Sequence, residues 1–466
     1  MGGYDALDRA RDRALAFLAT LPARPVGPRT TPASLRDALG GSLPEEGMPP
    51  EQVIDDLATA AEPGLVASAG PRYFGFVIGG SLPVAVAADW LTSAWDQNAV
   101  LYVTSPTAAV VEEVAASWLL DLLGLPAGAS VGFVTGAMMA NFTGLAAARH
   151  EVLRRAGWDV EEDGLDSSPP VNVVVSEETH VTAIIALGML GLGRRRAKPV
   201  VTDNEGRMRP DEIRRVLATC RGPTIICAQA GNVNTGAFDP LEEIAGLARQ
   251  HGAWLHVDGA FGLWAAASPS LRHLVAGAAL ADSWALDAHK WLNVPYDSGI
   301  AIVAHPDAHR AAMTAAASYL VPSTNAARDP WDWTPEASRR ARGFAIYAAL
   351  RALGRRGLRE TIERGCHLAR HMAGILARTA RVEILNQVAL NQVLVRFHPP
   401  GGGDPDALTR AVIARVQRDG TCWLGGTTWH GMAAMRISVS NWSTTEQDIE
   451  DSAGAIIGAF RAESNG

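Results

Sequence analysis

Lysine is almost absent from this chain of 466 residues, and one of its two lysines, Lys290, stands in the segment LDAHKWLN. The other is Lys198, and arginine accounts for the remaining 39 of the 41 basic residues. An amine differs from a guanidinium because it can lose its proton and attack a carbonyl carbon to form an imine. Lys290 also follows the predicted strand ADSWALD, at a carboxyl edge where α/β sheets bind ligands. These features indicate imine chemistry, and the alternative interpretation is a surface lysine without a role.

A second candidate is Asp258, which ends the predicted strand AWLHVD and precedes the small residues Gly259 and Ala260. If the imine is formed with pyridoxal phosphate, a carboxylate is needed to keep the pyridine nitrogen protonated, because that charge makes the ring an electron sink. Asp258 and Lys290 end two predicted strands separated by one connection, which suits a ring lying between them. Otherwise, an aspartate at a strand end is a helix cap or a turn residue.

A phosphate group needs backbone N–H donors such as those at a helix N-terminus. The predicted strand SVGFVT, followed by GAMMAN, offers that geometry at residues 135–141. A second glycine cluster, GMLGLG at 188–193, gives a weaker signal, and we interpret it as packing or a turn.

The elements that must position these residues alternate from about residue 106. The predicted strands are SVGFVT, VNVVVS, KPVVT, PTIICAQ, AWLHVD, ADSWALD and GIAIVA, with helices between most of them. Short apolar strands separated by helices are typical of a mostly parallel sheet that is covered on both faces. After about residue 336 a long helix over 335–357, the strand NQVLVRF, a helix near 405–419 and the strand MRISVS predict a smaller α+β domain.

The composition narrows the function classes. A net charge of −8 argues against a nucleic-acid or anionic-membrane partner, since both need a clustered positive field. No apolar run is long enough for a membrane span. The four scattered cysteines lack the spacing of a zinc site or a disulfide framework, so we expect no metal and a reduced, cytoplasmic setting.

Taken together, the motifs resemble the pyridoxal-phosphate-dependent amino-acid decarboxylases, the group that includes aromatic-amino-acid, glutamate and histidine decarboxylases. The resemblance runs over roughly residues 70 to 350 in the same order. It is carried by SPTAAVVEEVAASWLLDLLGLP, GAMMAN, EETH, AGNVNTGAFDP, HVDGAFG and ADSWALDAHK. It implies fold type I, the aspartate-aminotransferase-like α/β fold, with a large domain built on a mostly parallel seven-stranded sheet and a small α+β C-terminal domain.

By this resemblance, Lys290 forms the Schiff base with the cofactor, Asp258 pairs with the pyridine nitrogen, and Ala260 lies against the ring. His180 stacks on the other face of the ring, although a histidine in SEETH would otherwise be a helix cap or an exposed residue. The residues placed around the phosphate are Gly136, Ala137, Met138, Ser283 and His289.

Tyr319, in SYLVPSTNAARDPWDW, is the residue that bears most on the reaction. In the decarboxylases a tyrosine on a loop after the lysine protonates the α-carbon once carbon dioxide has left, whereas related aldehyde synthases carry phenylalanine there. The resemblance therefore implies decarboxylation of an L-amino acid to an amine. Tyr319 packing a loop on the surface is the other interpretation. The alternatives for the whole chain are an aldehyde synthase, aminotransferase or lyase with the same cofactor, and a non-catalytic binding relative.

Several positions depart from the family pattern. Met138 and Met139 replace a polar pair in the phosphate turn, and Asn232 and Val233 replace two threonines. Asp287 replaces a common asparagine before the His-Lys pair, and an aspartate near a phosphate would repel it unless turned away or protonated.

The substrate pocket and the assembly are also expectations from the family. The pocket candidates Trp95, Asn98, Val100 and Tyr102 include no lysine or arginine, which favours an aromatic or other apolar substrate. We expect three segments: 1–85, helical and packed on a partner subunit; 86–335, the large cofactor-binding domain; and 336–466, the small domain. The family works as a homodimer with the active site at the subunit interface, consistent with an N-terminal segment too small for its own core.

Overall fold

The computed structural model of the chain describes residues 4–314 and 328–464. The chain divides into two compact units. The large unit comprises Gly79–Arg370 and Asn386–Val393, and the small unit comprises Met1–Ile78, His371–Leu385 and Leu394–Gly466. The domain boundaries predicted after residues 85 and 335 remain predictions.

The described residues form fourteen α-helices and eleven strands, with short 3₁₀ turns between some of them. The helices are α1 (Asp5–Thr20), α2 (Pro32–Leu39), α3 (Pro50–Ala61), α4 (Pro83–Trp95), α5 (Pro106–Leu123), α6 (Ala137–Arg155), α7 (Val160–Asp163), α8 (Val181–Met189), α9 (Pro210–Leu217), α10 (Leu241–Gln250), α11 (Pro306–Met313), α12 (Gly343–Ala377), α13 (Pro405–Asp419) and α14 (Glu446–Ser464). The strands are β1 (Ser130–Val134), β2 (Asn172–Ser176), β3 (Lys198–Val200), β4 (Thr224–Gln229), β5 (Trp254–Asp258), β6 (Ser283–Asp287), β7 (Gly299–Val303), β8 (Val382–Ile384), β9 (Gln392–Phe397), β10 (Gly425–Trp429) and β11 (Met432–Ser438).

The large unit is built on a seven-stranded sheet in the order β1-β7-β6-β5-β4-β2-β3. Strands β3, β2, β4, β5 and β6 pair in parallel, whereas β7 is antiparallel to both β6 and β1. Because β1 and β6 are both antiparallel to β7, they run in the same direction, and their carboxyl ends share one edge. The predicted mostly parallel seven-stranded sheet is confirmed.

Most of the sheet is buried because helices cover it. Every residue of β1, β4, β5, β6 and β7 is buried, as expected for strands with both faces covered. Two glycines permit close packing near the carboxyl edge. A Cβ at Gly144 of α6 would lie 2.9 Å from the imidazole of His256, and one at Gly299 would lie 2.4 Å from the Cα of Gly136. Helix α6 is therefore held tightly against β5 and β7.

The long helix predicted from residue 335 begins later, at Gly343. Residues 339–340 instead make an isolated antiparallel bridge with the chain after α4: Asn98 bridges Arg340, and the Ala99 amide donates to the Arg339 carbonyl. These backbone groups are committed to another segment, so they do not form the first turn of the helix. The pairing between distant segments therefore outweighs the local helix propensity of residues 335–342.

The small unit contains a four-stranded sheet in the order β10-β11-β9-β8, in which β10 pairs with β11 and β8 with β9 in antiparallel fashion. Helices α13 and α14 bury one apolar face each. Helices α1, α2 and α3 contain no buried residue. Across residues 4–314 and 328–464, no helix combines the length and apolar character that a membrane crossing requires.

Candidate active site

Polar residues end the three central parallel strands of the large unit at one edge of the sheet. Gln229 ends β4, Asp258 ends β5 and Asp287 ends β6. The register pairs Gln229 with Asp258, and Asp258 with Ala285, so these side chains lie close together. Helix α6 begins at Ala137, directly after the carboxyl end of β1 on this same edge. The edge therefore combines carboxylates with a helix N-terminus.

A cavity of about 250 Å³ lies at this edge. It collects eight of the residues that the sequence predicted for the site: Gly136, Ala137, Met138, His180, Asp258, Ala260, His289 and Lys290. The other residues that line it are Thr182, Gln229, Gly231, Val233, Phe261 and Asp287. These residues lie at or just after the carboxyl ends of five strands of one sheet, β1, β2, β4, β5 and β6, which explains why they are far apart in the sequence.

Lys290 lies in the turn after β6, and its side chain is largely buried. The ammonium group makes an ion pair with Asp287, at 2.8 Å between Nζ and Oδ2. The ring of Phe261 lies nearby, with its centroid 5.9 Å from Nζ. The amine is thus presented to the cavity from a rigid turn and is held there by a carboxylate.

Asp287 is buried and makes two more contacts through its other oxygen. Oδ1 accepts a hydrogen bond from the Ala137 amide at 2.5 Å, at the start of α6, and lies 3.2 Å from Nε2 of His289. Burial alone would raise the pKa of the Asp287 carboxyl, but the Lys290 charge and the His289 hydrogen bond outweigh burial and hold that pKa well below its usual range. Asp287 is therefore a carboxylate at neutral pH.

The tautomer of His289 follows from its contacts. Its Nδ1 accepts a hydrogen bond from the Ser298 amide at 3.2 Å, so Nε2 carries the proton and donates it toward Asp287. The imidazole also stacks on Tyr296, with ring centroids 4.2 Å apart. His289 is fixed on three sides at the helix-terminus end of the cavity.

Asp258, at the other end of the cavity, is held by neutral donors. Its Oδ2 accepts from Nδ2 of Asn141 at 3.1 Å, and its Oδ1 accepts from the Ala260 amide at 3.2 Å. Oδ1 of Asn141 lies 2.8 Å from Nε2 of His256, and Nδ1 of His256 lies 2.8 Å from the Ser283 hydroxyl. We call Asn141, His256, Ser283 and Trp254, whose Nε1 donates to Ser283 at 2.8 Å, the Asp258 relay.

Most hydrogen bonds of the Asp258 relay have a fixed direction. Carboxylate and amide oxygens only accept, so Asn141 donates to Asp258 and Nε2 of His256 donates to Asn141. In the neutral form of His256 the proton is on Nε2, and Nδ1 accepts from the Ser283 hydroxyl, which accepts from the Trp254 indole. Burial lowers the pKa of His256 to about 4, against an opposing effect of the Asp258 charge, and this agrees with the neutral form. The relay orients Asp258 without neutralising it.

Sequence reasoning missed His256 and Asn141, although each carried a signal. His256 and Asp258 are two residues apart on β5 and therefore share a face of the sheet. Asn141 lies one turn after Ala137 on α6, on the side that faces the strand ends. Both residues are completely buried, and a buried polar side chain needs partners.

His180 precedes α8 and both caps that helix and lines the cavity. Its Nδ1 lies 2.7 Å from the Thr182 hydroxyl and 3.4 Å from the Thr182 amide, which is a capping arrangement. The two interpretations from the sequence, a helix cap and a residue against the cofactor, are therefore compatible in one side chain.

Two groups of predicted residues are not among the described residues that line the cavity, and one further predicted residue is not described. Ser283 stands at the first position of β6, completely buried, and its hydroxyl belongs to the Asp258 relay, so nothing in the described residues supports a phosphate contact. Tyr319 lies outside the described residues. The substrate candidates lie at or just after the end of α4 and are not among the described residues that line the cavity: Trp95, Asn98, Val100 and Tyr102.

Comparison with known proteins identifies the family to which the chain is similar. The model of the pyridoxal-dependent decarboxylase conserved domain matches residues 32–398. An aromatic-L-amino-acid decarboxylase of Bacillus atrophaeus is 27% identical over 459 residues, which cover 96% of this chain and 92% of that protein. A 4-hydroxyphenylacetaldehyde synthase of Rhodiola rosea is 28% identical over 453 residues, covering 93% and 90%. The solved structure of Oryza sativa TDC with PLP and tryptamine has a TM-score of 0.91 at 23% identity, covering 98% of this chain and 97% of that one.

The residues of the cavity fit pyridoxal phosphate. They supply an amine at Lys290, a carboxylate at Asp258, an imidazole at His180 and, at the start of α6, the backbone donors that a phosphate needs. Gly136 leaves room there, since a Cβ on it would lie 3.2 Å from Cε1 of His289 and 3.4 Å from Oδ1 of Asp287. The cofactor of this chain is pyridoxal 5′-phosphate. In the described part of the chain, no group of three or more histidine, cysteine, aspartate or glutamate side chains is placed to bind a metal.

Proposed function

The chain belongs to the pyridoxal-dependent decarboxylase family, and from that premise we propose that it converts an apolar, preferably aromatic, L-amino acid to the amine and carbon dioxide. The observation that carries the substrate class is the lining of the cavity. Among the described lining residues, Lys290 is the only lysine or arginine, and its amine would hold the cofactor. A second carboxylate on a substrate would find no cation there, whereas Met138, Val233 and Phe261 offer apolar contacts.

The roles of the cavity residues follow from their chemistry. When bound, pyridoxal phosphate supplies the electron sink for the pair released by the Cα–carboxylate bond. Lys290 would hold the cofactor through its amine. Asp258 would hold a proton on the pyridine nitrogen, and its neutral hydrogen-bond partners leave its charge available for that task. His180 would lie against the ring.

The reaction consumes one proton, because the α-carbon loses carbon dioxide and gains hydrogen. We propose that Tyr319 delivers it, on the strength of the family resemblance alone. Tyr319→Phe is the test: amine formation should fall, and aldehyde should appear in its place. Amine formation at the wild-type rate would show that another group donates the proton.

Aldehyde synthesis is the second candidate function, because the Rhodiola rosea relative is an aldehyde synthase of similar identity. The two functions differ in their products. Decarboxylation releases amine and carbon dioxide in equal amounts, whereas oxidative deamination with decarboxylation consumes dioxygen and water and releases aldehyde, ammonia, carbon dioxide and hydrogen peroxide.

One experiment tests both functions and the substrate class. The protein loaded with pyridoxal phosphate is incubated with a panel of L-amino acids, and carbon dioxide, amine, aldehyde and ammonia are measured together. We expect amine from tryptophan, tyrosine, phenylalanine or leucine and little from glutamate or aspartate. Turnover of glutamate in preference to all apolar substrates would contradict the substrate class, and aldehyde without amine would contradict the reaction.

We also propose that the chain works as a homodimer, with the active site at the subunit interface. Helices α1 and α3 bury no residue, and four of their large apolar side chains are between 43% and 61% exposed: Leu7, Leu15, Val53 and Leu57. A second copy would cover such apolar side chains. Sedimentation of the full chain should give twice the monomer mass.

A cytoplasmic location is a further part of the proposal. All four cysteines are free thiols, as in proteins that are kept in a reducing compartment. Three of them are buried: Cys227, Cys366 and Cys422. Burial raises the pKa of each of these thiols to about 12, which makes them unreactive.

A further inference from the structure

Asp287 is a buried carboxylate in the cavity to which the proposed reaction gives no task. It is also the acid nearest to the backbone donors at the start of α6. Its side chain is 3% exposed, and both of its oxygens are committed: Oδ1 to the Ala137 amide and to His289, and Oδ2 to Lys290. A buried charge with three donors is a built arrangement, since an unpaired buried charge would be very costly.

The first contact puts a protein anion where a ligand anion is expected. The N-terminus of a helix attracts negative charge, because its first N–H groups have no partner within the helix. Gly136, the N-cap of the 19-residue helix α6, has no side chain to serve them. Oδ1 of Asp287 accepts the hydrogen bond of the Ala137 amide instead. A phosphate at this terminus must use the neighbouring donors and lie close to the Asp287 charge.

The second contact ties up the reactive amine. An ammonium group held by a carboxylate at 2.8 Å does not attack an aldehyde, because only the neutral amine is nucleophilic. Imine formation therefore requires the ion pair between Lys290 and Asp287 to open and the amine to lose a proton.

We propose that Asp287 is a positioning residue for cofactor loading: it holds the Lys290 amine until the aldehyde arrives, and it stands as a fixed negative charge beside the cofactor phosphate. Two consequences distinguish this role from a merely structural one. Removal of the charge should release the amine, and it should favour aldehydes that carry a phosphate over those that do not. Both are measurable without any amino-acid substrate, so they are independent of the proposed reaction.

The first measurement uses the scarcity of lysine. The protein freed of cofactor is treated briefly with formaldehyde and borohydride, and methylation is quantified by peptide mass spectrometry. Lys198, the only other lysine, is the internal reference within the same molecule. In Asp287→Asn the Lys290:Lys198 labelling ratio should rise roughly tenfold. An unchanged ratio would show that the ion pair does not restrain Lys290 in solution.

The second measurement compares two aldehydes that differ only in phosphate. Imine formation with pyridoxal phosphate and with pyridoxal is titrated by absorbance for wild type and Asp287→Asn. The preference for pyridoxal phosphate should rise roughly tenfold in the variant, because the lost carboxylate repelled only the phosphate. A purely structural defect would weaken the binding of both aldehydes equally and leave the ratio of their affinities unchanged. That result would overturn the proposal.

The chain offers a matched control at the other end of the same strand. Asp282, just before β6, accepts from the Leu255 amide at 2.7 Å and pairs with His305 at 2.8 Å, so it also holds a backbone amide and a histidine. Asp282→Asn should leave both ratios at wild-type values. If it shifts them as Asp287→Asn does, the effect has a general structural cause and the proposal fails. Should Asp287→Asn not fold, Asp287→Ser removes the same charge, and the same two shifts are expected from it.

Discussion

Two buried aspartates end neighbouring strands at the candidate active site, Asp258 on β5 and Asp287 on β6, and they are held by different kinds of partner. Among the described residues, Asp258 accepts only from neutral donors, Asn141 and the Ala260 amide. Asp287 is paired with the Lys290 cation and with a helix N-terminus. Asp258 has no cationic partner among the described residues and can pair with a charged ligand, whereas Asp287 already forms an ion pair within the protein. The same side chain thus acquires two roles from its surroundings.

The largest effect should come from Lys290→Arg, which keeps a positive charge beside Asp287 but cannot form an imine. We expect the absorbance of the cofactor imine to vanish and amine formation to fall by about 10³-fold or more. Lys198→Arg is the control and should retain the wild-type spectrum and rate. Imine absorbance in Lys290→Arg would place the cofactor on another amine.

Asp258→Asn tests the other aspartate, because it removes the carboxylate charge that is available to the ligand. Amine formation should fall by roughly 10²–10³-fold, in line with the loss of one electrostatic contact to the reacting system. Cofactor imine should still form, since Lys290 is untouched. Asp287→Asn, by contrast, should strengthen cofactor binding. A rate within a few-fold of wild type in Asp258→Asn would remove Asp258 from the chemistry.

His256→Gln tests whether the Asp258 relay is neutral. The folded-state pKa of His256 is lowered to about 4 from an ordinary 6.5 by burial, so the unfolded chain binds a proton between these values and the folded chain does not. The unfolding free energy of wild type should therefore fall by about 3 kcal/mol because of this residue as pH falls from 6.5 to 4. In His256→Gln this part of the pH dependence should be absent. Urea titrations at several pH values measure it.

His305→Gln is a control of opposite sign. A hydrogen bond to Asp282 raises the pKa of His305, so its contribution to stability is present at low pH and is lost as pH rises through the folded-state pKa. The unfolding free energy of wild type minus that of His305→Gln should increase as pH falls. The corresponding difference between wild type and His256→Gln should decrease as pH falls. Equal trends in both variants would contradict the neutral relay.

The smallest effect is expected from Ser283→Ala, which leaves the Trp254 indole and Nδ1 of His256 without their shared partner. Unfolding free energy should fall by about 1–2 kcal/mol, and the preference for pyridoxal phosphate over pyridoxal should stay at its wild-type value. A loss of that preference would instead support the phosphate contact that the sequence predicted for Ser283.

The strands of the large unit, their mostly parallel sheet and most residues of the cavity were accessible from the sequence. Apolar strand runs between helices predicted the sheet, and strand ends predicted where Asp258 and Lys290 would lie, because these patterns depend on neighbours along the chain. The phosphate contact predicted for Ser283 rests on an equally local reason and stays a prediction. Ser283 belongs to the same motif as Lys290, but it is the first residue of the five-residue strand β6, whereas Asp287 is the last, so the two side chains lie at opposite ends of an extended segment.

The partners that α6 brings to the two aspartates were not assigned from the sequence. Asp287 meets Ala137 across 150 residues of chain, and Asp258 meets Asn141 across 117. Residue types along the chain were enough to indicate imine chemistry, since an amine, a carboxylate and a helix start each carry their chemistry with them. Lys290 pairs with Asp287 locally, but the hydrogen bonds that hold each carboxylate in place also need the Ala137 amide and Asn141, which α6 brings through the packing of the sheet. No local pattern records those distances, so the division of labour between Asp258 and Asp287 appears only in the folded chain.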